Sequence, residues 1–334
     1  MENLIERAKK DGIYEKFLID PFNGMEDIKL GLIRCVGSAD RLNEDPLRMM
    51  RMIRFSCQLG FRMVDHITNP ERLQIISRER VRDELSKILL SDNASSGIDK
   101  LCETNLMHYI IPEFYKLIEL KQGKNHIKDA YGHTLLVVDN ISKYNFGEDN
   151  LIARLTALLH DVGKPDTYSE ENGEIHFYDH QIIGANMAER ILTDLRFDNE
   201  IVKRVKTLIA NHMSLLMLSD ENINTRNIRR VIRRVGDENI DLILGLVKSD
   251  TRASSNQRLA KTELMGYYFQ EVRKEKPCEM KAPLSGEEIM TILNIKPGKL
   301  VGEIKDFLLN KVIDGELRET DKETAEKLIK EKFL

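Results

Sequence analysis

Apolar residues recur at helical spacing along most of this 334-residue chain. Between residues 47 and 57 this spacing places Leu47, Met50, Ile53 and Cys57 on one helix face and arginines on another. The chain has only 19 glycines and 8 prolines, too few for a sandwich of many short strands and tight turns. The sequence therefore predicts an all-α fold.

One short segment departs from the helical pattern. Residues 167–177 contain Asn172-Gly173 between two polar arms, and this dipeptide is typical of a β-hairpin turn. The predicted architecture is an elongated helical neck, a helical bundle with a small β-hairpin insert, and a helical tail.

Changes in pattern predict four segments along the chain, at 1–30, 31–120, 121–262 and 263–334. The first segment contains an expected strand end and a turn at Pro21 and Asn23-Gly24, and we expect it to be the end of a larger domain. The last segment begins with a charged linker. Its first helix is predicted to start with a capping box of Ser285 and Glu288.

Composition excludes several classes of protein. With 51 Lys+Arg against 55 Asp+Glu, the chain is not a uniformly basic nucleic-acid coat protein. The four cysteines lie far apart and form no Cys-x-x-Cys, which excludes a zinc ribbon or disulfide framework. No apolar leader is visible, and the longest uncharged run, Thr207–Ser219, is too short to span a bilayer. A cytoplasmic protein without a membrane partner is expected.

The residues most informative about chemistry are six histidines and aspartates, each predicted on a helix or near a helix end. They are His133, His160, Asp161, His180, His212 and Asp250. Imidazole and carboxylate ligands together suit Fe, Mn, Zn, Co or Ni, and Mg is a further candidate. Six ligands exceed the needs of one ion, so two divalent metals that share Asp161 are predicted. Any one of these histidines alone would more often be a packed or surface residue, and His126 and Asp129 are alternative supporting or substrate-contacting groups.

This ordered set resembles the HD superfamily of metal-dependent phosphohydrolases. The resemblance implies that His133, His160, Asp161 and Asp250 hold a first metal, and that His180 and His212 hold a second metal bridged by Asp161. It also implies catalytic roles for Asp161 and Lys164, with Lys164 facing a substrate phosphate. The implied activity is phosphohydrolysis, for example of 2′,3′-cyclic phosphate or 2′-phosphate esters on nucleotides or RNA ends.

The first third of the chain carries a second resemblance. The segments 19–27, 33–37, 41–55 and 58–61, including Glu44-Asp45-x-x-Arg48-x-x-Arg51, are similar to bacterial tRNA nucleotidyltransferases (CCA-adding enzymes) and poly(A) polymerases. The resemblance implies that Asp45 and Arg48 read the base of an incoming ATP or CTP and that Arg51 belongs to the nucleotide site. On the residues alone, Asp45 is equally a helix cap before Pro46, and Arg48 an ion-pair partner.

The resemblance also implies a catalytic head whose paired carboxylates bind Mg²⁺. The 334 residues contain no Asp-x-Asp sequence, and nucleotidyl transfer needs such carboxylates. We therefore expect a divalent-metal phosphohydrolase that does not polymerise alone. The alternative hypothesis is a tRNA-binding, non-catalytic subunit whose nucleotidyltransferase head lies on a separate chain.

RNA binding is predicted from an uneven distribution of charge. Residues 203–262 contain 12 Lys+Arg and 6 Asp+Glu, whereas the whole chain has a net charge of −4. Within this window five arginines follow helical spacing, namely Arg226, Arg229, Arg230, Arg233 and Arg234. Guanidinium groups suit phosphate contacts, so tRNA or another RNA is an expected partner. The alternative is an ordinary solvated helix face.

Overall fold

A computed structural model describes residues 19–122, 128–254, 259–276 and 279–333. The chain divides into two compact units, Met1–Pro112 and Glu113–Leu334. The predicted all-α class with a small hairpin is confirmed. The finer division into four segments stays a prediction. No helix among the described residues is long and apolar enough to cross a membrane.

The first unit is organised around one central amphipathic helix. Its helices are α1 (Gly24–Leu30), α2 (Arg41–Glu44), α3 (Leu47–Leu59), α4 (Arg78–Leu89), α5 (Ala94–Glu103) and α6 (Met107–Ile110). Helix α3 packs against α4 and α5, and all four residues of its predicted apolar face are buried. Oδ1 of Asp45 accepts the N–H of Leu47 at 3.2 Å, so this carboxylate does help to start α3, as predicted from Asp45-Pro46.

A short parallel strand pair in the first unit was not predicted. Strand β1 (Leu32–Ile33) pairs with β2 (Arg62–Met63), with Leu32 opposite Arg62 and Ile33 opposite Met63. Helix α3 is followed by Gly60, which caps its C-terminus with a φ of 68°, a conformation that suits glycine. Two-residue strands are too short to produce an alternating pattern, so the sequence carried no signal for them.

Helices of the second unit surround a common apolar core. They are α7 (Ala130–Ile141), α8 (Asn150–Leu159), α9 (His180–Asp194), α10 (Asn199–Leu216), α11 (Thr225–Val235), α12 (Ile240–Ser254) and α13 (Leu259–Arg273). Helix α8 packs against α7, α10 and α12, while α9 packs along α10. The predicted hairpin is present as β3 (Tyr168–Glu171) and β4 (Glu174–Phe177). Asn172 and Gly173 form its turn with positive φ angles.

The tail helices have an apolar cluster of their own. They are α14 (Gly286–Leu293), α15 (Lys299–Ile313) and α16 (Lys322–Phe333), and α11 packs against α15. The predicted capping box is confirmed, because Ser285 Oγ accepts the N–H of Glu288 and Glu288 accepts the N–H of Ser285.

Short 3₁₀ turns elsewhere lie at Pro70–Ile75, Pro112–Leu117, Gly147–Asp149, Pro165–Thr167, Asp220–Asn222 and Asp237–Asn239.

Candidate metal centre and nucleotide-binding neck

The structure brings the six predicted metal ligands together inside the second unit. His133 lies on α7, His160 and Asp161 follow α8, His180 begins α9, His212 lies on α10, and Asp250 lies on α12. All six are buried. Their ligand atoms form two groups, each with its atoms within 4.8 Å of one another: His133, His160 and Asp250, and then Asp161, His180 and His212.

The local sequence explains how a polar pair reaches this depth. Residues 152–159 of α8 are buried, so the helix runs through the core and delivers His160 and Asp161 at its end. On α7, Asp129 caps the helix by accepting the N–H of Gly132 at 2.8 Å, and its second oxygen accepts the N–H of Glu119 at 3.0 Å. Asp129 therefore supports the helix that carries His133. His126 lies outside the described residues.

Backbone carbonyls orient three of the histidines. In each case Nδ1 lies within hydrogen-bond distance of the carbonyl three residues earlier: His160 with Ala157 (2.8 Å), His180 with Phe177 (2.8 Å) and His212 with Ile209 (2.6 Å). A carbonyl only accepts, so Nδ1 donates and Nε2 is the unprotonated nitrogen of the neutral ring. This arrangement presents Nε2 as a metal ligand.

The two oxygens of Asp161 face different histidines. Oδ2 lies 3.2 Å from Nε2 of His160 and 3.7 Å from Nε2 of His133. Oδ1 lies 3.6 Å from Nε2 of His180. One carboxylate is therefore positioned between the two ligand groups.

Burial and mutual charge shift the pKa values of these groups. Burial raises the pKa of Asp161, but His160 and Lys164 lower it by more than burial raises it. The pKa of Asp161 therefore lies well below its usual value. Burial similarly opposes ionisation of Asp250, but the hydrogen bond with His133 and the charges of His133 and His160 together lower the pKa of this carboxyl. Burial, with His160 and His180 nearby, lowers the pKa of His212 to about 4. Ionised carboxylates and a neutral His212 are the forms that bind metal.

The donor set fits a divalent cation. Among the described residues, Nε2 of His160 and Nε2 of His180 are buried without a hydrogen-bond partner, and buried polar nitrogens are normally satisfied. Nitrogen and carboxylate donors in one buried cluster match the ligand preferences of first-row divalent metals. The ammonium of Lys164 lies 2.7 Å from Oδ2 of Asp161 and donates to Gln122 at 2.5 Å.

The predicted nucleotide-binding residues lie at the start of α3 in the first unit. Arg48 Nη1 donates to the carbonyl of Arg41 at 2.8 Å and lies 3.0 Å from Glu44. Asp45 keeps Oδ2 3.5 Å from Arg80. Both side chains are partly exposed. The neck can therefore offer a carboxylate and a guanidinium three residues apart at the start of α3.

The predicted RNA-binding arginines divide into two groups on α11. The first three form ion pairs with acidic residues near the tail: Arg226 with Glu316 (2.8 Å), Arg229 with Glu275 (2.6 Å) and Arg230 with Asp314 (2.6 Å). The other two, Arg233 and Arg234, are exposed. Arg234 approaches Ser214 at 3.5 Å.

Two supporting residues were missed by the sequence reasoning. Glu84 is only 2% exposed and lies 3.0 Å from Arg54 and 3.7 Å from Arg51. A glutamate on the apolar face of α4 was the signal that could have identified it. Gln122 could not be identified from the sequence, because its hydrogen-bond partner Lys164 lies 42 residues away along the chain.

A cavity of about 530 Å³ lies elsewhere in the second unit, between α12 and α13. Phe146, Gly245 and Phe269 are among its lining residues, and none of the six predicted ligands lines it. A cavity is a common location for a ligand, but this one lacks the cluster of perturbed titratable groups found at the candidate metal centre.

Comparison with known proteins gives a family match for a segment of each unit. Residues 67–117 match the family "Probable RNA and SrmB-binding site of polymerase A", and residues 130–249 match the HD domain family. The chain is 33% identical to the A-adding tRNA nucleotidyltransferase of Deinococcus radiodurans over 304 residues, which cover 86% of this chain and 68% of that protein. The chain belongs to the tRNA nucleotidyltransferase family. It is also 34% identical to the CC-adding tRNA nucleotidyltransferase of Thermus thermophilus, covering 87% of this chain and 67% of that protein.

A solved member of the tRNA nucleotidyltransferase family has the same fold. The Bacillus stearothermophilus CCA-adding enzyme in complex with CTP superposes with a TM-score of 0.62 at 20% identity, covering 94% of this chain and 68% of that one. This likeness extends over both units of the chain.

These relatives overturn the predicted activity. The prediction of a phosphohydrolase that does not polymerise alone is wrong, because the relatives matched over most of the chain are named for nucleotide addition to tRNA. The physical reason is that the order of histidines and aspartates identifies an HD domain and candidate ligands, whereas the reaction belongs to the whole protein. The comparisons show no separate head chain, and the hydrolytic roles of Asp161 and Lys164 are not carried over.

Proposed function

We propose that this chain acts in nucleotide addition to the 3′ end of tRNA, where it selects the incoming nucleotide and binds the RNA. The observation that carries the proposal is the identity of 33–34% to an A-adding and a CC-adding tRNA nucleotidyltransferase over about two thirds of their length.

Nucleotide selection is assigned to Asp45 and Arg48. Cytosine and adenine each carry an exocyclic amino group, which donates, whereas uracil and guanine carry a carbonyl at that position. The Asp45 carboxylate accepts from the amino group, and the Arg48 guanidinium donates to the neighbouring ring nitrogen. Because Arg41 and Glu44 hold Arg48 through Nη1, its planar group is oriented before a nucleotide binds.

Arg51 is assigned to the nucleotide phosphates. It lies one turn after Arg48 on α3 and its side chain is 45% exposed. The carboxylate of Glu84 lies 3.7 Å from its Nε, which restrains the guanidinium while leaving its outer edge toward solvent. A guanidinium held in this way suits an anionic ligand.

RNA binding is assigned to the second unit. Arg226, Arg229 and Arg230 already have carboxylate partners, whereas Arg233 and Arg234 are exposed on the same helix. We therefore assign phosphate contacts of tRNA chiefly to the latter pair. Such contacts recognise the shape of the RNA backbone.

The six-residue cluster is assigned to divalent metal. His133, His160 and Asp250 would hold one ion, and Asp161, His180 and His212 would hold a second, with Mg, Mn, Fe, Co, Ni or Zn as candidates. A bound cation would supply positive charge against two buried carboxylates. Because the ligands come from α7, α9, α10, α12 and the end of α8, binding would also fix these helices to one another.

Binding to tRNA tests this function. The fluorescence anisotropy of a labelled tRNA transcript that lacks its terminal CCA is measured with the full chain at about 150 mM salt, with a duplex DNA of equal length as control. We expect the tRNA to bind at least about tenfold more tightly than the DNA, and CTP or ATP to strengthen the complex. Equal affinity for tRNA and DNA would overturn the proposal.

A further inference from the structure

Two glycines meet backbone to backbone beside the metal centre. Gly163 follows His160-Asp161 by two residues, and Gly184 lies one turn into α9. A Cβ atom placed on Gly163 would lie 2.4 Å from the carbonyl oxygen of His180 and 2.6 Å from the nitrogen of Gly184. Both atoms belong to the backbone, so no rotation of a side chain can relieve the collision.

The contact is tight from the other side as well. A Cβ atom on Gly184 would lie 3.2 Å from the nitrogen of Gly163 and 3.6 Å from the carbonyl oxygen of His160. A shift of a few tenths of an ångström relieves this second contact, whereas the first requires α9 to move away. The two positions therefore provide a graded pair of perturbations at one interface.

The same two segments carry two of the three residues of the second group, Asp161 and His180. Oδ1 of Asp161 lies 3.6 Å from Nε2 of His180, and the carbonyl of His180 is the atom that a side chain on Gly163 would strike. Moving α9 outward separates His180 from Asp161. The first group depends on α7, α12 and the end of α8, and α9 contributes no residue to it.

We infer that the contact between Gly163 and Gly184 sets the separation of Asp161 and His180, and that it is required for the second ligand group to bind metal. Both glycines are positioning residues, and the inference rests on the proposed metal centre. Metal–ligand distances are fixed to about 0.2 Å, so a displacement of α9 by the radius of a methyl group is enough to break the site.

The test counts Mn²⁺ ions bound to the wild-type chain and to Gly163→Ala, Gly184→Ala and Gly266→Ala by equilibrium dialysis and elemental analysis. Gly266 is the matched control, since the nearest atom to its Cβ position is Lys248 Nζ at 3.9 Å. We expect two ions on the wild type and on Gly266→Ala, and one on Gly163→Ala. Gly184→Ala should bind the second ion about tenfold more weakly.

Circular dichroism and thermal melting identify a variant that fails to fold, and if Gly163→Ala fails, Gly184→Ala decides the test. Wild-type stoichiometry and affinity in the folded variants would overturn the inference. One ion on the wild type with unchanged affinity in both variants would also overturn it. A wild type that binds no metal would instead overturn the metal centre itself, so the two failures are distinguishable.

Discussion

The ammonium of Lys164 lies 2.7 Å from Oδ2 of Asp161, in the middle of the proposed metal centre. Lys164 is 6% exposed and Asp161 2% exposed, so both charges are largely removed from water. A positive charge this close to a proposed ligand carboxylate offsets its charge and opposes a second cation at the same oxygen. A metal ion in the proposed centre would therefore compete with Lys164 for Asp161.

Removing this ammonium should strengthen metal binding. We expect Lys164→Met to bind Mn²⁺ about tenfold more tightly, about 1.4 kcal/mol, because the competing cation is gone. The metal-free variant should be destabilised by about 3 kcal/mol, since a buried carboxylate loses its partner. Calorimetry and thermal melting with and without Mn²⁺ check both effects.

Lys116→Met, which breaks an exposed ion pair with Asp166, is the control for this substitution. Weaker Mn²⁺ binding by Lys164→Met would contradict this account.

Arg230 is expected to contribute to stability. Its partner Asp314 has a side chain that is only 6% exposed, while Arg230 itself is 38% exposed. Replacing it by glutamine removes the closer of two guanidinium partners of a nearly buried carboxylate and leaves Arg226 at 3.8 Å. We expect a loss of about 1–2 kcal/mol after allowance for solvent screening. Denaturant unfolding of Arg230→Gln measures this loss. A change below about 0.5 kcal/mol would show that the ion pair does not hold the tail against α11.

Arg233 and Arg234 are expected to contribute to RNA affinity and not to stability. The unfolding free energy of the double variant Arg233→Gln/Arg234→Gln should differ from that of the wild type by less than about 0.5 kcal/mol for each exposed site. Its affinity for tRNA should fall. The plot of log affinity against log salt concentration should become shallower, with a slope smaller in magnitude by about one for each lost phosphate contact. An unchanged salt slope in the anisotropy assay would exclude both arginines from the RNA interface.

The capping box of α14 should make the tail sensitive to acid. The ammonium of Lys322, at 2.5 Å, and the N–H of Ser285 lower the pKa of Glu288 from 4.5 to about 2. The unfolded chain therefore takes up this proton at higher pH than the folded chain. The stabilisation from Glu288 is complete above pH 4.5 and is lost between pH 4.5 and 2.

Comparing the wild type with Glu288→Gln isolates this effect, because glutamine keeps the shape but not the charge. The difference in unfolding free energy between the two proteins should be constant near neutral pH and shrink as the pH falls below 4.5. A difference that stays the same down to pH 3 would show that the charge of Glu288 does not stabilise α14.

The sequence predicted elements whose signals are local. The apolar face of α3, the hairpin turn at Asn172-Gly173 and the capping box at Ser285 each depend on residues within one or two turns of chain. The parallel pair of β1 and β2 depends on residues 30 positions apart. Pairing at that distance is decided by tertiary packing, and two residues carry no periodicity that could reveal it.

The candidate ligands were also predictable, but their surroundings were not. Histidine and aspartate are visible in the sequence, whereas the contact of Gln122 with Lys164 and the approach of Gly163 to Gly184 depend on how distant segments pack. The five arginines of α11 looked equivalent by spacing, yet three of them face carboxylates near or within the tail. Charge partners across a fold cannot be inferred from one helix alone.

Nucleotide selection by Asp45 and Arg48 is the central claim, and calorimetric titration with CTP, ATP, UTP and GTP tests it most directly. The titrations use the full chain with saturating tRNA that lacks CCA, and compare the wild type with Asp45→Ala and with Asp83→Ala, an exposed control in the same unit. We predict that the wild type and Asp83→Ala bind CTP or ATP at least about tenfold more tightly than UTP and GTP, and that Asp45→Ala loses this preference. Equal affinity of the wild type for all four nucleotides, or an unchanged preference in Asp45→Ala, would contradict the account.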